Sequence, residues 1–138
     1  MPELTEVAAR PNLNESLLRD SYAALGRGDM DTIRRIFAPD CVLHIPGNNP
    51  LSGEKHGIDE AVGYFGELMT RSEGTFVIDL HQVMTNDDYV VAFHHETGRK
   101  GGLVLDNQLS VVSRIQNGRP QEIWVFYFDQ PQADAFWA

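Results

Sequence analysis

Three titratable residues of this chain are candidates for acid–base chemistry: His44, His95 and Glu122. Histidine changes charge close to neutral pH, so it can both accept and release a proton there, and a carboxylate can assist it. His44 lies in a short run of strand-forming residues. His95 and Glu122 occupy strand positions whose neighbours on the same face are apolar, where a buried polar group needs a partner. We predict that these three residues are catalytic. The alternative for His95 and Glu122 is a place at the solvated end of the sheet, and for His44 it is an outward orientation, because His44 alternates with Leu43 and Ile45.

Four other residues are candidates for contact with a bound molecule: Tyr22, Asn107, Trp124 and Phe126. Tyr22 lies on the apolar stripe of the first predicted helix, where its hydroxyl can donate a hydrogen bond into a cavity. Trp124 and Phe126 form a flat aromatic wall that suits a ring-shaped ligand, and Asn107 adds polarity beside them. The alternative for the aromatic residues is an ordinary place in the core.

Hydrophobic periodicity divides the chain into an N-terminal helical part and a C-terminal part of long strands. Helical spacing predicts three helices, which are Leu13–Gly26 after a capping box of Asn12 and Glu15, Asp29–Phe37, and Ile58–Arg71. Alternation with a period of two predicts four strands, which are Thr75–Thr85, Tyr89–Arg99, Leu103–Gln116 and Gln121–Asp129. The glycine-rich residues 47–57 are predicted to form a loop.

The turns between the strands predict which side chains share a face of the sheet. Centring each turn places His95 opposite Asn107 and Val111 opposite Trp124. The face that contains these residues carries most of the large apolar side chains and is predicted to lie under the helices: Phe76, Ile78, Leu80, Val91, Phe93, Leu105, Leu109, Val111, Trp124, Phe126 and Phe128.

The opposite face of the predicted sheet gathers Asp79, His81, His94 and Glu96. These are residue types that can hold zinc. A solvated face or one half of a dimer interface is the simpler interpretation of this cluster, so no metal site is predicted.

Composition limits the class of protein and its partners. The chain has 138 residues and a formal net charge of −9, which suits one domain with an acidic surface. Such a surface repels the phosphates of nucleic acids and of anionic lipids, so neither nucleic acid nor membrane is an expected partner. The single cysteine, the lack of a long apolar run and the polar N-terminus predict a cytoplasmic protein. Residues 1–12 are predicted to be a flexible segment and residues 13–138 the folded domain.

Several short motifs resemble the SnoaL-like branch of the nuclear transport factor 2-like superfamily. They are Tyr22-Ala23-Ala24-Leu25-Gly26-Arg27-Gly28-Asp29-Met30-Asp31, Ile36-Phe37-Ala38-Pro39-Asp40, His44-Ile45-Pro46-Gly47 with Gly53 and Gly57, and Asn117-Gly118 followed by Glu122-Ile123-Trp124-Val125-Phe126 and Asp129-Gln130. The resemblance implies an α+β fold, a cystatin-like cone. In it, three N-terminal helices pack on a strongly curved, mixed but mainly antiparallel sheet that encloses one pocket.

The catalytic residues of known relatives are not carried by this chain. The helix-one tyrosine and the base of ketosteroid isomerases of this fold align with Ser21 and Ile45. The histidine and aspartate of SnoaL-like polyketide cyclases align with Val111 and with Val125 or Phe126. The resemblance therefore implies the fold and the pocket, and leaves the chemistry to other residues.

Two functions fit these observations. The first is a SnoaL-like enzyme, a cofactor-free isomerase, cyclase or hydrolase that acts on a small hydrophobic, ring-containing substrate. The second is a non-catalytic ligand-binding or dimerisation module that kept the pocket and lost the chemistry. An enzyme should place at least two titratable side chains within reach of one point in the pocket. A homodimer is expected in either case, through the sheet face that carries Tyr127, Val112, Val125, Ala92 and Val83.

Overall fold

The computed structural model describes residues 13–138. The helices are α1 (Leu13–Gly26), α2 (Met30–Ile36), α3 (Ile58–Arg71) and α4 (Gln130–Trp137). The strands are β1 (Val42–Ile45), β2 (Gly53–His56), β3 (Val77–Thr85), β4 (Tyr89–Lys100), β5 (Leu103–Gln116) and β6 (Arg119–Tyr127). The predicted α+β class and the three N-terminal helices are confirmed. Asn12 of the expected capping box and the expected flexible segment lie outside the described residues.

The strands form one sheet in the order β2-β1-β6-β5-β4-β3. The pair β1–β6 is parallel and the other pairs are antiparallel, so the sheet is mixed but mainly antiparallel. The sheet is curled without being closed. Strand β2 was predicted to be loop, because the run Gly53-Glu54-Lys55-His56 has no apolar alternation; its pairing with β1 makes it a strand.

The helices cover the concave face of this sheet. Helix α1 packs against β3 and β4, α3 against β1 and β2, and α4 against β5 and β6. The C-terminal helix is anchored by Phe136 and Trp137, each only 1% exposed. No helix within residues 13–138 is long and apolar enough to cross a membrane.

The turn between β4 and β5 is one residue shorter than predicted from the sequence. Lys100 pairs directly with Leu103, so Gly101 and Gly102 alone form the turn. Every pairing along β4 shifts by one residue as a result: Glu96 lies opposite Asn107, and His95 lies opposite Gln108. Because side chains alternate along a strand, this shift turns His94 and Glu96 to the inner face and His95 to the outer face.

Two β-bulges cause the other differences between the predicted and the observed strand register. The Asn117-Gly118 hairpin has the expected register at its turn, where Gln116 pairs with Arg119, but a register shift follows and places Trp124 opposite Val112. A second irregularity, between Leu80 and Gln82, displaces His81 from the pairing of β3 with β4. A bulge inserts one residue into a strand and reverses the faces beyond it. The predicted inner positions of Trp124, Phe126 and Phe128 were wrong because of the bulge between β5 and β6, and those of Val91 and Phe93 were wrong because of the shorter β4–β5 turn; all five side chains lie on the outer face.

Candidate active site

A cavity of about 780 Å³ lies between the concave face of the sheet and helices α1 and α3. Its walls are mostly apolar, with side chains such as Leu18, Phe65, Leu68, Val111 and Ile123. Concave, largely apolar spaces of roughly 300–1,000 Å³ with a few polar groups are the usual form of small-molecule sites. The cavity is therefore the candidate binding site of the protein.

A hydrogen-bonded chain of polar side chains lies in this apolar cavity. His94 and Glu96 are two residues apart on β4, so they share its inner face, and His94 Nε2 lies 2.9 Å from Glu96 Oε2. Both are almost fully buried, at 4% and 3% exposed. The Tyr22 hydroxyl reaches from α1 to within 2.7 Å of His94 Nδ1.

Tyr127 completes the chain and helps to define its proton positions. Its hydroxyl donates a hydrogen bond to Glu96 Oε1 over 3.1 Å. A carboxylate only accepts, so the Glu96 contact assigns a proton to His94 Nε2. In neutral His94, Nδ1 is then an acceptor, and the Tyr22 hydroxyl donates to it. The order of donation is therefore Tyr22 to His94, His94 to Glu96, and Tyr127 to Glu96.

Three tyrosines of the site are held in their protonated form. Burial raises the pKa of Tyr22, Tyr64 and Tyr127 well above the ordinary value, and the nearby Glu96 carboxylate raises each of them further. A phenolate would lie in an apolar cavity next to a second negative charge, which is unfavourable on both counts. These hydroxyls therefore remain hydrogen-bond donors through the neutral and moderately alkaline range.

The arrangement has the parts of a general acid–base site. The histidine can take a proton, the carboxylate orients its ring and stabilises its cation, and the Tyr22 hydroxyl can donate to a developing negative charge. His94 and Glu96 were predicted to lie on the outer face, because Lys100 was counted as a turn residue. The available signal was the Gly101-Gly102 pair, since two adjacent glycines suit a two-residue hairpin turn.

The predicted residues His44, Glu122, Trp124 and Phe126 come together, but on the outer face rather than in the cavity. His44 Nε2 lies 2.7 Å from Glu122 Oε2, and its Nδ1 lies 3.1 Å from Glu54. The imidazole stacks on the Trp124 indole, with ring centres 5.4 Å apart and planes 6° apart. The hydrogen bond from His44 lowers the pKa of Glu122. Parallel pairing of β1 with β6 brings these residues together, and it puts all of them outside the main cavity.

The remaining predicted residues have different places. His95 is on the outer face, where its Nε2 lies 2.5 Å from Asp106. Asn107 is buried on the inner face, but its amide donates to the Asp129 carbonyl at 2.8 Å and to Gln132 at 2.9 Å, so it anchors the start of α4. Of the predicted site residues, Tyr22 lines the main cavity.

The metal cluster considered for the outer face does not form, because His94 and Glu96 point inward while Asp79 and His81 do not. Within residues 13–138, no three His, Cys, Asp or Glu side chains are arranged to hold a metal ion.

The sequence pattern of the SnoaL-like domain matches residues 18–127, and the chain belongs to that family. An uncharacterized protein of Mycobacterium tuberculosis is 32% identical over 123 residues, which cover 88% of this chain and 94% of the relative. The structure of Bal32a, from a soil-derived mobile gene cassette, superposes with a TM-score of 0.88 at 31% identity, over 91% of this chain and 97% of Bal32a.

Two further solved structures carry the same fold. A Xanthomonas campestris protein of unknown function with a cystatin-like fold has a TM-score of 0.84 at 31% identity, over 91% of this chain and 98% of its own. TerC, co-crystallized with polyporic acid, has a TM-score of 0.75 at 18% identity, over 84% of this chain and 92% of TerC. The predicted cystatin-like, nuclear transport factor 2-like fold is thereby confirmed.

Proposed function

We propose that this SnoaL-like protein is a cofactor-free acid–base enzyme that acts on a small, neutral, ring-containing hydrophobic molecule. One observation carries the proposal: the hydrogen-bonded chain of Tyr22, His94 and Glu96 inside an apolar cavity. In this function His94 is the general base, Glu96 holds its tautomer, and Tyr22 donates a hydrogen bond to a substrate oxygen.

The chemistry follows from the geometry of the three residues. A substrate that enters the cavity competes with Tyr22 for Nδ1 of His94, which is the accepting nitrogen of the neutral ring. When His94 takes a proton from substrate carbon or oxygen, the imidazolium is paired at once with Glu96 at 2.9 Å. The Tyr22 hydroxyl is then free to donate to the negative charge that develops on the substrate. Isomerisation, cyclisation and elimination all begin with such a proton transfer.

The buried pair favours the enzyme over the non-catalytic binding module. Burial of a carboxylate costs free energy, and the cost is met only by partners placed around it. A protein that only holds a hydrophobic ligand gains nothing from this arrangement. The enzyme hypothesis calls for two titratable side chains within reach of one point, and it is supported by His94 and Glu96, which are hydrogen-bonded to each other and both line the cavity.

The charges along the cavity favour a neutral substrate. Among the described residues that line it, Arg27 is the one arginine or lysine, and its guanidinium lies 3.1 Å from the Asp29 carboxylate at the surface. An anionic group deep in the cavity would meet Glu96 without a compensating cation. The apolar walls and the volume suit a molecule of two or more rings.

Hydrogen exchange at carbon tests the proposal without knowledge of the substrate. The ligand is 2-tetralone, a neutral two-ring ketone, incubated with the protein in D₂O and followed by NMR. We expect the protein to speed exchange of the hydrogens next to the carbonyl: His94 removes a proton, exchanges it with solvent, and returns a deuteron to the same carbon. If neither 2-tetralone nor a panel of other enolisable ring ketones exchanges faster than in buffer, the acid–base proposal is wrong.

We also propose that the protein is a homodimer through the outer face of the sheet. Of the residues expected on that face, Val112 lies there, whereas Tyr127, Val125, Ala92 and Val83 point inward. The apolar area is supplied by others, including Phe126 at 49% and Phe128 at 67% exposed. Exposed aromatic surface of this kind marks an interaction site.

Light scattering at micromolar concentration is expected to give twice the chain mass of 15.5 kDa. The double substitution Phe126→Glu with Phe128→Glu is expected to give a monomer, because it buries charge in the interface. A monomer mass for the unsubstituted protein would contradict the dimer.

A further inference from the structure

The exposed residues that line the cavity mark its opening to solvent. Most of the lining residues are buried or half-buried, but six are exposed. They come from the α1–α2 turn, from the second half of α3 and from the start of β3: Gly26, Arg27, Gly28, Gly66, Met69 and Val77. A ligand therefore reaches His94 by passing between these segments.

Gly66 is an unusual residue for its position. It lies in the middle of α3, where glycine destabilises a helix relative to alanine because of its backbone freedom. Packing does not require glycine there, since a Cβ built on Gly66 meets no atom within 4 Å. Nor does the backbone require it, because Gly66 has no positive φ.

Gly63 provides the comparison within the same helix. It is also exposed, it is also in the interior of α3, and a Cβ built on it likewise meets nothing within 4 Å. Gly66 lines the cavity, however, and Gly63 is not among the lining residues. The two positions differ in their relation to the opening and are otherwise matched.

We propose that Gly66 keeps the mouth of the cavity open and so sets the size of molecule that can enter. This inference rests on the proposed function, because it concerns the same cavity. Val62, Gly66 and Met69 are spaced by four and three residues along α3, so they share one face of the helix, and all three line the cavity. A side chain at position 66 would therefore lie on the face of α3 that borders the opening. Glycine at position 66 is thus a specificity determinant: it lets a multi-ring ligand enter, and it makes helix α3 less stable than alanine would.

A side chain added at position 66 is expected to change the rates of ligand association and dissociation more than the affinity. An obstruction at the mouth slows entry and exit alike, since the ligand crosses the same constriction in both directions. The equilibrium dissociation constant then changes little. A side chain that instead filled the binding space would weaken binding mainly by speeding dissociation.

The test uses N-phenyl-1-naphthylamine, a neutral three-ring fluorescent probe, in stopped-flow binding to the full chain. We expect Gly66→Leu to slow both association and dissociation by roughly tenfold, while the Kd changes less than about threefold. Gly66→Ala should fall between this variant and the unsubstituted protein. Gly63→Leu should bind at the unsubstituted rates, and both leucine variants should melt at or above the unsubstituted temperature because leucine favours helix.

The stopped-flow experiment distinguishes a failure of the role proposed for Gly66 from a failure of the proposed function. If the probe binds but Gly66→Leu keeps the original rates, or Gly63→Leu slows binding equally, the mouth is elsewhere and the inference fails alone. Faster dissociation with a weaker Kd in Gly66→Leu means that the side chain fills the cavity, and this also overturns the inference. If the unsubstituted protein does not bind the probe, the binding cavity of the proposed function fails, and the inference fails with it.

Discussion

Substitution of His94 with glutamine is expected to lower the exchange rate of 2-tetralone by roughly 10²–10⁴-fold, the usual contribution of one general base. The glutamine amide can keep a hydrogen bond to Glu96, which lies 2.9 Å from His94, and has nearly the same reach. It cannot take a proton from carbon at neutral pH. The loss therefore reports on proton transfer rather than on packing.

Two other histidines serve as controls for this substitution. His95 is the next residue on the opposite face of β4, and His44 lies in the outer cluster with Glu122. Both were predicted from sequence to be catalytic, but both lie outside the main cavity. His95→Gln and His44→Gln are expected to keep the exchange rate, and His94→Gln is expected to keep the melting transition and the binding of N-phenyl-1-naphthylamine. A loss in His44→Gln with full activity in His94→Gln would move the active site to the outer face.

A steep loss of stability is expected when the pH rises above about 10, the ordinary pKa of tyrosine in an unfolded chain. The folded state raises the pKa of Tyr22, Tyr64 and Tyr127 through burial and through Glu96. Above pH about 10 the unfolded chain releases these protons and the folded protein keeps them, so the free energy of unfolding falls as the pH rises. The stabilisation is fully present below the unfolded pKa. It is lost at about 1.4 kcal/mol per pH unit for each tyrosine, or about 4 kcal/mol per unit for the three.

Urea unfolding at several pH values between about 9 and about 12 measures this slope. The range brackets the pKa of tyrosine in an unfolded chain, which is about 10. Burial also raises the pKa of Cys41, to about 11, and adds to the loss in the same direction. Tyr64→Phe isolates one tyrosine, since it removes the hydroxyl and keeps the ring. This variant should lose stability more slowly with pH, by about 1.4 kcal/mol per unit. An unchanged slope in Tyr64→Phe would show that this hydroxyl ionises as readily in the folded protein as in the unfolded chain.

Local periodicity was enough to predict the three N-terminal helices of this protein, but the C-terminal helix α4 was not predicted. The bounds predicted for α1 and α3 agree with the structure residue for residue, and α2 differs only at its capping residues. A helix forms from contacts three and four residues apart, so its signal lies within the segment itself. The long strand β5 was placed correctly for a similar reason, since apolar residues recur at most of its alternate positions.

The sequence by itself therefore determined the three N-terminal helices, the four long strands and their order, and the family resemblance, which already implied a pocket. Only the tertiary structure decided which face of each strand lines that pocket. Because the turn at Gly101-Gly102 is one residue shorter than predicted, His94 and Glu96 face the cavity and His95 faces outward. One bulge turns Trp124 away from the cavity. Strand β2 likewise forms because it pairs with β1, and its sequence has no alternation of apolar and polar residues from which a strand could be predicted. The physical reason is common to these cases: side chains on a strand alternate every residue, so long-range pairing that shifts by one residue exchanges the inside of the protein with the outside.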